Sequence, residues 1–143
     1  MINFEFSKID DIERVMAIDN QYEFEKYSRA NFEEFYSNKY VEIVIATIDG
    51  IDVGYVILLT IFDESNLVKI VVNKEYRNSS IGSQLLDYVK NYLNSKGVKK
   101  IFLEVRVDNL IAKSFYKKNG FVEGGVRKGY YNGIDGNIYW YRL

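Results

Sequence analysis

Val71-Val72-Asn73-Lys74-Glu75-Tyr76-Arg77-Asn78-Ser79-Ser80-Ile81-Gly82 runs from an apolar strand, through a polar loop, into a stretch with helical spacing. Ile81, Leu85, Val89, Tyr92 and Leu93 mark the buried face of that helix, and Gly97 is placed to end it. The first N–H groups of an α-helix have no partner within it, and the helix dipole adds partial positive charge there. A pyrophosphate would sit well on such a junction. Small polar residues also cap helices with no ligand in view, so the stretch taken alone leaves both readings open.

Upstream, Val41 to Ile48, a turn at Asp49-Gly50, Asp52 to Leu59, a loop at Asp63-Glu64-Ser65-Asn66, and Leu67 to Val72 read as an antiparallel meander. Before it, alternation over Ile2 to Phe6 predicts a first strand. A helix is expected from about Asp10, on Ile12, Val15, Met16 and Ile18, and a second over 29 to 38, with Ser28 as N-cap and Phe32, Phe35 and Tyr36 on one stripe. Downstream come a strand over Lys100 to Arg106, a helix over Asn109 to Asn119 ended by Gly120, and two closing strands, Phe121 to Lys128 and Asn137 to Leu143. The order predicts one mixed α/β layer structure over residues 1–143, with no repeats and no linker.

A second informative stretch is Phe102-Leu103-Glu104-Val105-Arg106-Val107-Asp108-Asn109, followed by Ala112, Phe115-Tyr116 and Asn119-Gly120-Phe121. Strand alternation sets Leu103 and Val105 on one face and Phe102, Glu104 and Arg106 on the other, which inserts a carboxylate into a strand. Asn109, Ala112 and Tyr116 lie at i, i+3 and i+7, so Asn109 and Tyr116 share a helix face roughly 10 Å apart. A Glu–Arg pair and a core Tyr are also ordinary structural features, and the residues alone do not choose.

Composition narrows the chemistry. The 143 residues are 48% apolar and 27% charged, as expected for one domain with a real core. Lys and Arg number 19 against 20 Asp and Glu, without a long one-sign block, so no broad footprint for nucleic acid or anionic membrane is present. There is no Cys and no His. Thiolate metal sites and a cysteine nucleophile are excluded, the commonest metal ligand is missing, and no metal is expected. Acid–base chemistry falls to carboxylate, Tyr, Lys, backbone or water. The start, Met1-Ile2-Asn3-Phe4-Glu5-Phe6, lacks the pattern of a signal peptide, and the longest apolar stretch, Val53 to Phe62, is too short to span a membrane. A cytoplasmic protein is expected.

The two stretches, in this order and spacing, resemble the GNAT acyltransferases, and among them the ribosomal-protein alanine N-acetyltransferases. The resemblance covers roughly residues 50 to 131. The phosphate-loop pattern of the family, Gln or Arg, two residues, Gly, one residue, then Gly or Ala, falls on Arg77, Ser80 and Gly82. Its Leu-Glu-Val-Arg stretch, with Asn, Ala and Tyr-x-x-x-Gly-Phe, falls on Leu103 to Arg106, Asn109, Ala112 and Tyr116 to Phe121. An Arg followed by a Tyr-Tyr pair falls on Arg127 and Tyr130-Tyr131. One departure is Ser80, where the family has Gly: it adds a Cβ where backbone must approach a pyrophosphate, and weaker coenzyme binding is expected.

The resemblance implies a mostly antiparallel central sheet of about seven strands, splayed between the fourth and fifth, with about four flanking helices. It implies acetyl-coenzyme A as the acyl donor. The pantetheine arm would pair with the edge at Ile70, Val71 and Val72, where one N–H stabilises the oxyanion. The pyrophosphate would lie on the amides of Asn78, Ser79, Ser80, Ile81, Gly82 and Ser83, with Arg77 nearby and Asn109 as a further contact. Glu104 is then the base that takes the proton from the amine through water, and Tyr116 the acid for the leaving thiolate. With no Cys, transfer in a ternary complex is expected.

The acceptor is a primary amine. An N-terminal α-amine, with a pKa near 8, suits a modest carboxylate base better than a Lys side chain near 10.4. Tyr130 and Tyr131 would wall a peptide acceptor, or merely pack the closing strands. Glu23, Glu25, Glu33 and Glu34 would favour a cationic acceptor, or form a solvated helix face. The competing readings are a small-amine acetyltransferase acting on an aminoglycoside, polyamine or amino acid, and a non-catalytic acyl-coenzyme A module motivated by Ser80. A monomer or homodimer is expected.

Overall fold

The computed structural model describes all residues from Met1 to Leu143. Seven strands form one sheet: β1 Ile2–Phe6, β2 Val41–Ile48, β3 Ile51–Ile61, β4 Glu64–Val72, β5 Lys100–Arg106, β6 Val122–Tyr131 and β7 Ile134–Arg142. Their order is β1-β2-β3-β4-β5-β7-β6, with β4 and β5 parallel and every other neighbour antiparallel. Four helices flank it: α1 Ile12–Asp19, α2 Arg29–Ser37, α3 Ile81–Ser95 and α4 Leu110–Lys118.

The central strands are apolar on both faces, as strands covered on both sides must be. In β2 and β3, Ile43, Ile45, Tyr55 and Ile57 turn toward Val15, Ile18 and Phe32 of α1 and α2. Val44, Ala46, Val56 and Leu58 turn the other way, onto Leu85, Leu86, Val89 and Leu93 of α3 and Tyr116 of α4. Burying a side chain of this size contributes about 1.5–3 kcal/mol, so these two clusters set the layering. Ser28 caps α2 as its sequence suggests, accepting from the Asn31 N–H at 3.1 Å.

Several boundaries differ from the sequence expectation, among them the end of β3, which runs two residues past Leu59 to Ile61. The first helix is preceded by a 3-10 turn at Ile9–Asp11, so regular α geometry begins at Ile12. The loop expected at Asp63 to Asn66 shrinks to a turn at Phe62 and Asp63, because Glu64 to Asn66 already belong to β4. Ser65 is buried there and its hydroxyl pairs with that of Thr60 at 2.9 Å, which is how a polar run enters a strand. The closing strands extend toward each other to meet at Asn132-Gly133, both at positive φ. Asn-Gly at a tight hairpin is the pairing such a turn demands.

Candidate active site

The strand pair β4 and β5 is joined at one end only. Glu64, Ser65 and Asn66 pair with Lys100, Ile101 and Phe102, and beyond them the strands separate. The cause lies in β4: Ile57 of β3 faces Lys69 while Leu58 faces Leu67, so Val68 is an extra residue. A bulge bends its strand and increases its twist, and here it carries Lys69 to Val72 away from β5. The Asn73 N–H donates to the Val53 carbonyl at 2.9 Å. Counting back in twos, Val71 points its backbone at β3, while Ile70 and Val72 point theirs into the gap. Across the gap, Leu103 to Arg106 pair only with Ile138 to Gly136 and Tyr139 of β7.

At the mouth of the wedge stands the N-terminus of α3. Backbone N–H groups of residues 78 to 83 make no hydrogen bond within the chain; the first of the helix to do so is that of Gln84, to the Ser80 carbonyl at 2.9 Å. Asn78 and Ser80 both adopt positive φ, 62° and 67°. Successive amides in such a turn converge on one point, a nest for an anion. Ser80 is therefore in the left-handed region, which explains why glycine fits this position, and its hydroxyl accepts from Gln84 Nε2 at 2.9 Å. Gly82 allows close packing: a Cβ there would sit 3.1 Å from the Phe115 ring, which would have to give by a few tenths of an ångström.

Arg77 is placed at this loop, but its guanidinium is engaged elsewhere. Nε donates to the Val72 carbonyl at 3.0 Å, one terminal nitrogen to the Gln21 carbonyl at 3.1 Å, and the other pairs with Glu23. Asn109 caps α4, its Oδ1 accepting from the Ala112 N–H at 3.2 Å and its amide donating to the Tyr22 hydroxyl at 3.4 Å. It precedes the helix rather than sharing its face with Tyr116.

On the far side of the gap, Glu104 has one oxygen held by Arg127 Nε at 3.2 Å and the other buried with no partner. Gly136, opposite Arg106 on β7, leaves room beside it: a Cβ there would lie 3.0 Å from the Tyr131 ring and 3.8 Å from Glu104 Oε2. Tyr131 thus leans over the carboxylate, and burial, with that negative charge beside it, pushes its phenol well above the usual range. Tyr130 stands edge-on to Tyr131 at 5.0 Å, half exposed, with the Arg127 guanidinium 4.7 Å from its ring centre. Tyr116 is buried against Phe121 and Tyr139. Burial, reinforced by the Tyr22 and Tyr131 phenols, raises its pKa strongly and keeps the hydroxyl protonated.

Of the four glutamates expected either to draw in a cation or to be solvated, Glu23 and Glu25 are paired, with Arg77 and Arg106, while Glu33 and Glu34 are exposed. The segment carrying the first two thus spans the wedge. Sequence reasoning missed what lies beneath it, a buried pair of Lys69 and Asp19 at 2.6 Å. A single Lys inside the apolar run Leu67 to Val72 was the available signal. No group of acidic side chains is arranged to hold a metal.

A parallel strand pair joined at its base and open at its mouth, beside a helix start with free amides, defines the acetyltransferase class of mixed α/β folds. The profile of the Acetyltransferase (GNAT) family matches residues 10–121, and the chain belongs to that family. A Bacillus subtilis (strain 168) relative with the provisional name ribosomal protein bS18-alanine N-acetyltransferase is 32% identical over 136 residues, covering 93% of this chain and 90% of its own. The Escherichia coli (strain K12) ribosomal protein bS18-alanine N-acetyltransferase is 30% identical over 110 residues, 77% of this chain and 74% of its own. The crystal structure of the ribosomal-protein-S18-alanine N-acetyltransferase from Escherichia coli superposes with a TM-score of 0.92 at 24% identity, covering 100% of this chain and 94% of that one. The Thermoplasma acidophilum PaiA N-acetyltransferase, crystallised with coenzyme A, superposes with a TM-score of 0.86 at 21% identity, covering 100% and 99%. At those identities the superpositions show the fold.

Proposed function

We propose that this chain is an acetyl-coenzyme A-dependent N-acetyltransferase whose acceptor is the N-terminal α-amine of a protein, of the ribosomal-protein alanine type, and that it works in the cytoplasm without a metal as a single domain over residues 1–143. The observation that carries the proposal is the pairing of two unsatisfied features on opposite sides of one gap. The free amides of residues 78 to 83 lie on one side, and the partnerless oxygen of Glu104 lies on the other. The names of the relatives point the same way.

Acetyl-coenzyme A supplies the acetyl group as a thioester. The amides of Asn78, Ser79, Ser80, Ile81, Gly82 and Ser83 bind its diphosphate. Arg77 serves by fixing the loop through Val72 rather than as a direct ligand, and Asn109 by capping α4 beside the mouth. The edge N–H groups of Ile70 and Val72 face the gap, where they hold the pantetheine arm and the thioester carbonyl, while Val71 keeps the strand anchored to β3. Glu104, oriented by Arg127, accepts the proton of the attacking amine through a water. Tyr116, held protonated by burial, returns a proton to the leaving sulfur. A phenol with pKa near 10 in water is comparable in basicity to a thiolate and is protonated at neutral pH, and burial does not remove that proton. Tyr130 and Tyr131 wall the acceptor.

The test is incubation of the purified protein with acetyl-coenzyme A and a peptide bearing an Ala N-terminus from protein bS18, read by mass spectrometry. One acetyl group on the α-amine is expected. Turnover of polyamines or aminoglycosides with no peptide product would overturn the acceptor assignment.

A further inference from the structure

Asp19, the last residue of α1, and Lys69, on β4 just past the bulge, are 1% and 8% exposed and face each other at 2.6 Å. Desolvating two ions costs several kcal/mol each, so such a pair is a poor source of stability compared with apolar side chains of the same size. What it supplies is direction. The Tyr55 hydroxyl donates to Asp19 Oδ1 at 2.8 Å, which fixes the carboxylate. Its other oxygen accepts the Tyr27 N–H at 2.8 Å. Lys69 Nζ donates to the Glu25 carbonyl and lies 4.4 Å from the Tyr22 ring centre and 4.5 Å from that of Tyr27. Apart from the strut to Tyr55, every contact of the pair named here goes to residues 22 to 27.

Those residues belong to the strap from Asn20 to Ser28, between α1 and α2, which crosses the mouth of the wedge. On the β4 side, Gln21 Oε1 accepts from the Lys74 N–H at 2.8 Å and Glu23 pairs with Arg77. On the β5 side, Glu25 pairs with Arg106 at 2.7 Å and the Tyr22 hydroxyl accepts from Asn109. Ordering a residue costs about 1–2 kcal/mol of backbone entropy, and a surface ion pair returns about 0–1 kcal/mol. The two surface pairs are therefore too weak to hold the strap by themselves.

We propose that Lys69 and Asp19 are positioning residues that hold the strap across the wedge in the one shape that receives the acceptor, and so set the affinity for the acceptor peptide. The proposal rests on the N-acetyltransferase reading above. It separates two halves of the site: the coenzyme is assigned to the α3 amides and the β4 edge, and the acceptor to the Glu104 side, where the strap is tied to Arg106 and Asn109.

The experiment compares wild type, Lys69→Met and the double variant Asp19→Asn with Lys69→Met. Lys69→Met should raise the peptide KM at least tenfold, with kcat and the acetyl-coenzyme A Kd from calorimetry within threefold of wild type. It also strands a buried carboxylate, so the double variant is the control for folding. There Asn Oδ1 accepts the Tyr27 N–H, the Tyr55 hydroxyl rotates to accept from Nδ2, and Tm recovers. The peptide KM should stay raised, because Met cannot reach the Glu25 carbonyl. A KM that recovers together with Tm, or that never rises, overturns the proposal. Independently of turnover, exchange of the bonded strap amides, those of Tyr22, Tyr27 and Ser28, should accelerate at least tenfold in the double variant because the strap opens more often, and unchanged exchange would also overturn it. Absence of any acetyl transfer by wild type counts against the enzyme reading alone, and the exchange measurement still decides this one.

Discussion

Replacing Tyr116 by Phe separates chemistry from packing. The ring fills a place among Phe115, Phe121 and Tyr139, and Phe fills it equally. The hydroxyl makes no hydrogen bond within the chain, so removing it leaves no donor or acceptor stranded and spares the cost of burying a polar group. Stability should thus stay within about 1 kcal/mol of wild type, or rise, which for a chain of this size moves Tm by roughly 3–5 °C at most. The rate behaves differently. A positioned general acid contributes about 10²–10⁴-fold, so kcat should fall at least about 100-fold. The acetyl-coenzyme A Kd should barely change. Thiol release gives kcat, calorimetry gives Kd and a thermal melt gives Tm. An undiminished kcat removes Tyr116 from the mechanism, and a loss above 2 kcal/mol shows that the hydroxyl is structural.

Glu104→Gln keeps the shape of the side chain and removes its basicity, so kcat should fall about 100-fold or more at pH 7 while coenzyme binding persists; a rate near wild type refutes the base assignment. Ser80→Gly relieves a left-handed backbone cost of about 1 kcal/mol, partly offset by the freer unfolded chain, and removes a Cβ from the anion nest. Melts with and without acetyl-coenzyme A should show a larger ligand-induced rise in Tm than in wild type, and a smaller one contradicts the account. Gly82→Ala pushes a methyl to 3.1 Å from the Phe115 ring, which should lower stability by about 1 kcal/mol despite the better helix propensity. Burial raises the Tyr27 phenol from 10.0 to about 12, so the folded state holds that proton more tightly than the unfolded chain. The stabilisation is complete below pH 10 and is lost as pH rises toward 12, with Tyr55 and Tyr131 acting in the same direction and Lys69, whose pKa burial lowers, opposing. Denaturant titrations at pH 9 and pH 11 should show stability falling, and falling less in Tyr27→Phe.

The layering was legible because Ile43, Ile45, Tyr55 and Ile57 alternate with Val44, Ala46, Val56 and Leu58, and the period of two leaves little freedom in which residues share a face. Ser28, Gly97 and Gly120 marked helix ends by their own chemistry. The start of β4 was not legible: Glu64-Ser65-Asn66 has the composition of a turn, and only pairing with β5 makes it a strand. The anion nest was visible as a polar junction before a helix, but the partners of Arg77 were not, since Gln21 and Glu23 reach it from more than fifty residues away. The same holds for Lys69 and Asp19. Buried ion pairs join distant segments, and no local period announces the partner.

Hydrogen exchange with acetyl-coenzyme A added tests the central claim most directly, because it reads the individual amides that the wedge leaves free. Slowed exchange is expected at residues 78 to 83 and at Ile70 and Val72, with Val71, already bonded to β3, unchanged. Protection that appears elsewhere while these amides exchange at their original rates would contradict it.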